Sequence, residues 1–256
     1  MKILHEGKAI IVGLEYFNPD DYPLLEVVGC NCTGTEHLPW KEIKKRNIKV
    51  ISLKDNLLFL RKTIFSTAEH TIGLIIALMR NYKTALNAPY KDREEYKGHT
   101  LFGKTITLFG GNGRVGSQVS DRLKAFGMEV WRVGKNDIPQ FVLSADIISL
   151  HIPLEGNEGF FTKEMFKMMK PTSYLINTSR DAIIEKGSLL WALQNSIIAG
   201  AGVDFIDDPE LLKYSKTHNN LVLTPHLGGC TEEDLERTGN FITKLVENYV
   251  IENKLS

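Results

Sequence analysis

The sequence predicts an α/β fold with a mostly parallel sheet, and three observations carry that expectation. Short runs rich in Val, Ile and Leu alternate with segments of helical periodicity along most of the chain. Most of those runs are apolar throughout, as strands buried on both faces of a parallel sheet should be. One of them leads directly into a glycine-rich turn that opens an amphipathic segment.

The chain has 256 residues, enough for one large or two modest domains with a sizeable core. Its 31 basic and 31 acidic side chains cancel, which leaves no electrostatic footprint for nucleic acid or an anionic membrane. The longest apolar run, 72–79, is far short of the roughly 20 residues that span a bilayer. The opening Met1-Lys-Ile-Leu-His-Glu6 has no apolar core of a secretory signal. Three cysteines cannot build a disulfide framework, so a soluble protein of the reducing cytoplasm is expected. Cys30 and Cys32 are spaced C-x-C, but no second ligand pair follows, and no metal site is expected.

Expected strands are 9–12, 26–30, 49–53, 105–109, 129–133, 146–150, 173–177, 200–205 and 221–223. A long helix is expected over 68–79, followed by a polar stretch, 87–99, that reads as a surface arm or linker. The segment 116–126 sets Val119, Leu123 and Phe126 on one helical face and stops at Gly127, a C-cap signal. Shorter helices are expected over 162–169, before Pro171, and over 188–194. The last helix begins at Thr231, an N-cap followed by Glu232, Glu233 and Asp234. Its stripe of Leu235, Ile242, Leu245, Val246 and Tyr249 should dock on the protein's own core.

The most informative segment is Thr105-Ile-Thr-Leu-Phe-Gly-Gly-Asn-Gly-Arg-Val-Gly116. Within it, Gly111 permits the tight turn, Gly113 lets the backbone approach a pyrophosphate, and Gly116 allows helix to pack closely on strand. A lone glycine triplet is weak, but this one stands between a strand and a capped helix, the context that dinucleotide binding requires. The acidic residue expected after the next strand, to grip the ribose 2′-hydroxyl of NAD, is missing. Gly134 and Lys135 stand there instead. A small residue followed by a cation suits a 2′-phosphate better than a diol, which favours NADP over NAD.

At this point the chain resembles the D-isomer-specific 2-hydroxyacid dehydrogenase family over nearly its whole length, as a shortened member. The glycine turn is followed by Lys124-Ala-Phe-Gly-Met128, Ser144-Ala-Asp-Ile-Ile-Ser-Leu-His-Ile-Pro-Leu154, Leu175-Ile-Asn-Thr-Ser-Arg180, Ala199-Gly-Ala-Gly-Val-Asp204 and Thr224-Pro-His-Leu-Gly-Gly229. Asn31-Cys-Thr-Gly34 and Thr67-Ala-Glu-His-Thr71 precede them. The resemblance implies a two-lobed α/β protein. A Rossmann-like nicotinamide-binding domain, 73–230, is inserted into a trimmed flavodoxin-like substrate domain, 1–72 and 231–256. It further implies a homodimer and hydride transfer between NAD(P) and a small D-2-hydroxy acid or 2-keto acid.

On this resemblance Arg180 matches the substrate-binding arginine, whose planar fork grips carboxylate and carbonyl oxygen together. His226 matches the catalytic histidine, which donates a proton as hydride reaches the carbon. The family's carboxylate before a proline, which orients that histidine, falls on Asp208, with Asp207 as its neighbour. Asp204 matches the residue that bonds the nicotinamide carboxamide, and Thr178 falls among the cofactor-binding positions. Arg114 and Val115 would offer backbone amides to the pyrophosphate. His5, His70 and His151 carry no motif support and read as structural.

The chain also departs from the family. Residues 1–12 leave no room for a crossover helix between the first two strands, so the first lobe is trimmed or its first strands pair differently. The link from Val133 to Ala145 is short for the usual third strand and helix of the nucleotide lobe. Asp181 follows Arg180 where the family commonly has Gly, and is expected to point outward. Loop amides near Gly13 and Leu14 would assist carboxylate binding in the family. The alternative function is a nicotinamide-binding corepressor or sensor of the same fold with little turnover.

Overall fold

The structure, a computed structural model, describes residues 1–86, 93–134, 143–205 and 208–254. They form two compact units, Met1–Ile64 with Cys230–Ser256, and Phe65–Gly229. The division falls between Ile64 and Phe65, ahead of the long helix that the sequence cuts at 72/73.

In the first unit β1 (Lys2–Leu4) turns back antiparallel onto β2 (Ala9–Val12). In the four-residue link His5–Lys8, the first three residues are left-handed, with φ of 49°, 54° and 91°. This is the alternative pairing that the short spacing requires, because only an antiparallel neighbour can be reached by so short a turn. β2, β3 (Val27–Cys30) and β4 (Lys49–Ser52) are parallel, and the sheet order is β1-β2-β3-β4. Alternation along the strands splits the core in two. Ile10, Val12, Val28 and Cys30 pack with Phe17, Leu25 and Ile43, the last from α1 (Trp40–Lys45). Ala9, Ile11 and Val27 pack on the opposite face with Leu60 of α2 (Leu57–Thr63). Neither α1 nor α2 is anticipated by the sequence.

The second unit opens with α3 (Ser66–Met79) and α4 (Tyr82–Ala85). Of the polar stretch 87–99, residues 87–92 lie outside the described residues, and Arg93–Tyr96 is an exposed 3₁₀ turn. β5 (Thr105–Phe109) feeds α5 (Arg114–Ala125), which returns to β6 (Glu129–Val133). Then come β7 (Ile147–Leu150), α6 (Lys163–Lys167), β8 (Tyr174–Asn177), α7 (Ser188–Gln194), β9 (Gly200–Val203), α8 (Pro209–Thr217) and β10 (Leu221–Leu223). All pairings are parallel, in the order β10-β9-β8-β7-β5-β6. The order reverses at β5, flanked by β6 and by β7, which makes the crevice past β5 and β7 the topological switch point. Lys135, in the 135–142 link that follows β6, lies outside the described residues.

Helices cover both faces of this sheet. Leu74, Ile75 and Leu78 of α3 and Val119 and Leu123 of α5 bury against Ile106, Leu108, Ile147 and Ile176. On the other face Phe166, Leu189, Leu193, Leu211 and Tyr214 of α6, α7 and α8 meet Phe109, Ile148, Leu175 and Val203.

The chain then returns to the first unit as α9 (Glu232–Glu252), N-capped by Thr231, whose hydroxyl accepts from the Asp234 amide at 3.2 Å. Ile242, Val246 and Val250 are fully buried and pack with Ala9, Ile11 and Val27. A Cβ on Gly29 would come within 2.7 Å of Ile242 and Val246, so the helix rests directly on β3 there. Leu235, expected in the docking stripe, is instead 49% exposed, and the buried face runs through Asp234, Thr238, Ile242, Val246 and Val250 at steps of four.

No helix among the described residues is long and apolar enough to cross a membrane, and no metal-ligating cluster occurs among them.

Candidate active site

Those site residues expected from the sequence that are among the described residues stand at or just past the carboxyl ends of the parallel strands of the second unit. β5 ends at Phe109, and the chain turns over Gly110–Gly113 into α5, with Gly113 as N-cap. The left-handed residue of this turn is Gly110, at φ 77°, not Gly111. A Cβ on Gly110 would also collide with the His151 carbonyl, so glycine is required there twice over. Gly111 is held small by the Arg132 side chain, 2.8 Å from a Cβ, and Gly116 by a collision with the Gly110 carbonyl. No side chain caps α5. The amides of its first turn, including Val115 and Gly116, form a site suited to an anion by both hydrogen bonding and the helix dipole.

The other edge of the crevice follows β7. His151 lies one residue past β7, its Nε2 2.9 Å from Ser149 Oγ, with Nδ1 buried and unpartnered among the described residues. Burial pushes this imidazole down to about 4, so it is neutral at pH 7.

Three adjacent strands end in register. Asn177, Val203 and Leu223 are neighbours across β8, β9 and β10. The next rung is Thr178, Asp204 and Thr224, joined by Asp204 N–H to the Asn177 carbonyl and Thr224 N–H to the Val203 carbonyl, both at 3.0 Å. Thr71 donates to the Thr67 carbonyl at 2.7 Å, so the 2.8 Å contact between Thr71 and Thr178 has Thr178 donating.

Arg180 stands two residues beyond Thr178. The fully buried Asn177 fixes this turn, accepting from the Ser179 amide at 2.9 Å and donating to the Arg180 carbonyl at 2.8 Å. Arg180 is half-buried, and its Nη1 donates to the Ser179 carbonyl at 2.9 Å. Asp181 Oδ1 accepts from the Ala182 amide at 2.7 Å, in the 3₁₀ turn Asp181–Ile183.

His226 stands two residues beyond Thr224, exposed and left-handed, with φ 57°. Its loop is organised by Asp204, which is only 2% exposed. Asp204 Oδ1 accepts from Thr224 Oγ1 at 2.6 Å and from the Leu227 amide at 2.7 Å, and Oδ2 accepts from the Gly228 amide at 2.7 Å. His70 Nε2 lies 3.3 Å from Oδ1. Burial alone pushes the Asp204 carboxyl up, but bonds from His70, Thr224, Leu227 and Gly228 outweigh it and hold it at about 2.

Asp208 does not accompany His226. Its Oδ1 accepts from the amides of Glu210 and Leu211, at 2.9 and 3.2 Å, as the N-cap of α8, with Pro209 at the first helical position. No hydrogen bond or ion pair joins it to His226 among the described residues. An Asp before a Pro is a helix-start signal as much as a catalytic one. Asp207 lies outside the described residues. Gly134 closes β6 with open space where a Cβ would stand. His70 reads only as structural in the sequence, because its partners here are 134 and 154 residues away along the chain.

The family model described as D-isomer specific 2-hydroxyacid dehydrogenase, NAD binding domain, matches residues 72–228. The chain is 34% identical over 229 residues to the D-3-phosphoglycerate dehydrogenase of Bacillus subtilis, covering 82% of this chain and 42% of that protein. It is 29% identical over 252 residues to the glyoxylate reductase of Thermococcus litoralis, covering 88% and 74%. Among solved structures, a D-lactate dehydrogenase from Aquifex aeolicus complexed with NAD and lactic acid superposes with a TM-score of 0.75 at 25% identity, covering 96% and 83%. The chain spans less than half the length of the curated phosphoglycerate dehydrogenase it matches. With a family match over 72–228 and a relative above 30% identity across most of its length, the chain belongs to the D-isomer specific 2-hydroxyacid dehydrogenase family.

Proposed function

We propose that the protein catalyses reversible hydride transfer between a nicotinamide dinucleotide and C2 of a small D-2-hydroxy acid or its 2-keto form. The observation that carries this reading is the common rung of Thr178, Asp204 and Thr224, with Arg180 and His226 each two residues beyond its outer members. The glycine turn fits the dinucleotide, because its glycines clear the approach and α5 begins without a side-chain cap. Gly111, Gly113 and Gly116, with the amides of Arg114 and Val115, would hold the pyrophosphate. Thr178 would hold the nicotinamide end together with Asp204, whose Oδ2 accepts one bond among the described residues, from the Gly228 amide, and has capacity for the carboxamide. The open space at Gly134, with Lys135 next in sequence, favours a 2′-phosphate and hence NADP. By the family resemblance the working form is a homodimer.

The bound nicotinamide supplies or accepts the hydride. The chain's own part is to hold the substrate and move a proton. Arg180 grips the substrate carboxylate and carbonyl oxygen with its planar fork. His226 donates its proton to that oxygen as hydride reaches C2, giving the hydroxyl, and takes it back in the oxidative direction.

The test follows absorbance of NADPH and NADH with glyoxylate, hydroxypyruvate and pyruvate. His226→Ala should lose about 10²–10⁴-fold in rate. Arg180→Lys should lower keto-acid turnover while leaving cofactor affinity unchanged, because lysine cannot reproduce the bidentate grip. Tight cofactor binding without oxidation on any of these acids would favour the sensor reading instead. Clear preference for NADH would remove the role given to Gly134 and Lys135.

A further inference from the structure

A histidine with positive φ is an uncommon conformation that persists where the surroundings impose it. At His226 the imposing group is Asp204. Its carboxylate bridges the loop on both sides of His226, from the Thr224 hydroxyl to the amides of Leu227 and Gly228. Gly228 completes the fit, because a Cβ there would stand 2.9 Å from Asp204 Oδ2.

The direction of the remaining bond can be derived. Asp204, held at about 2, is ionised at neutral pH and can only accept. The single hydroxyl hydrogen of Thr224 is therefore committed to Asp204. The 2.9 Å contact between Thr224 Oγ1 and His70 Nε2 must then have His70 donating. The same N–H forks toward Asp204 Oδ1 at 3.3 Å. His70 thus carries hydrogen on Nε2 whatever the state of Nδ1. It sits in the second turn of α3, a helix fixed to the sheet by buried Leu74, Ile75 and Leu78. At Gly202 of β9 that helix lies so close that a Cβ would stand 3.1 Å from Leu78 and 3.2 Å from Leu74. His70 is therefore a donor on a rigid element aimed at the clamp that shapes the His226 loop.

We propose that His70 is a positioning residue for His226: its Nε2–H secures the Thr224–Asp204 clamp, which holds the His226 backbone left-handed and its imidazole in place for proton transfer. The proposal rests on His226 being the proton donor, so its experiment includes His226→Ala. The variants are His70→Phe, which keeps a ring but loses the donor, and His70→Gln, whose amide nitrogen can reach the same acceptors. The measurements are kcat, KM for the keto acid, cofactor affinity by fluorescence titration, and hydrogen exchange of the Leu227 and Gly228 amides. In His70→Phe, kcat should fall by about 10–100-fold, the scale of a misplaced catalytic group. KM and cofactor affinity should stay within about twofold of the parent, and the two amides should exchange about tenfold faster, as a weakened charged hydrogen bond implies. His70→Gln should recover most of kcat and the slow exchange. Unchanged kcat and exchange in His70→Phe, with His226→Ala inactive, overturns the proposal and leaves the catalytic role of His226 standing. Full activity in His226→Ala overturns both. Equal loss in the Phe and Gln variants, with cofactor binding lost in parallel, reduces His70 to a packing residue.

Discussion

At the scale of single residues, carboxylates of one type do different work according to what surrounds them. Asp208 has an exposed helix start to cap, and its Oδ1 takes two amides of α8. Asp204 is buried among four donors and stays ionised. Asp208→Ala should therefore lower stability by about 1 kcal/mol through loss of the cap, while Asp208→Asn, itself a good N-cap, should be nearly neutral. Denaturant titration of the two variants checks this, and a kinetic defect in Asp208→Asn without loss of stability would restore the carboxylate to the chemistry. Asp204→Asn cannot serve the clamp as well, because an amide offers one acceptor oxygen where the loop supplies donors to two. Sequence shows the carboxylates but not their donors, which is why it sets Asp208 beside the His226 loop, where the structure has Asp204. Arg180 and His226 are legible because each follows a short buried strand inside a recognisable block. His70 is not, because nothing within its own segment points to Thr224.

At the scale of elements, the legible features are those whose backbone demands leave few residue choices. The turn between β5 and α5 is the clearest. Gly116 is needed because the helix start lies against Gly110, and Gly110 because the chain there is left-handed. Gly116→Ala should push α5 off the turn and abolish measurable dinucleotide binding by fluorescence titration, with α5 itself still folded because alanine is the better helix former. Retained affinity would mean that the pyrophosphate is held elsewhere. The α9 start at Thr231 is legible for the same reason, since its cap and acidic first turn are local. Its buried face is only partly so. Leu235 looks like a core residue by type, yet one extra apolar position at the edge of a stripe cannot be distinguished from a core position without the sheet it faces.

At the scale of the whole molecule, the largest shifts that bear on acid stability are those of His151 and Asp204, with Glu15 and Asp146 lowered to a smaller extent. His151 takes up a proton near 6.5 when its surroundings are water but only near 4 when folded, because burial opposes the charge. Its folded value is depressed, so between about 6.5 and 4 the unfolded chain binds more protons than the folded one, and stability falls as pH falls through that window. A shift of that size corresponds to at most about 3 kcal/mol. Asp204 acts lower. Its hydrogen bonds hold it at about 2 against an ordinary 3.8, so its contribution is present above 3.8 and lost as pH falls toward 2, by about 2 kcal/mol. The two windows barely overlap, so single variants separate them. His151→Gln should flatten the decline in stability between pH 6.5 and 4 relative to the parent and leave the lower decline intact. Asp204→Asn should be less stable already at pH 7 and lose the additional fall below pH 4. Calorimetric unfolding at pH 7, 5 and 3 reads both effects. A His151→Gln protein that follows the parent curve from pH 6.5 to 4 would show that the imidazole is hydrated in the folded state. The glycine turn that His151 adjoins would then be open to water at its base.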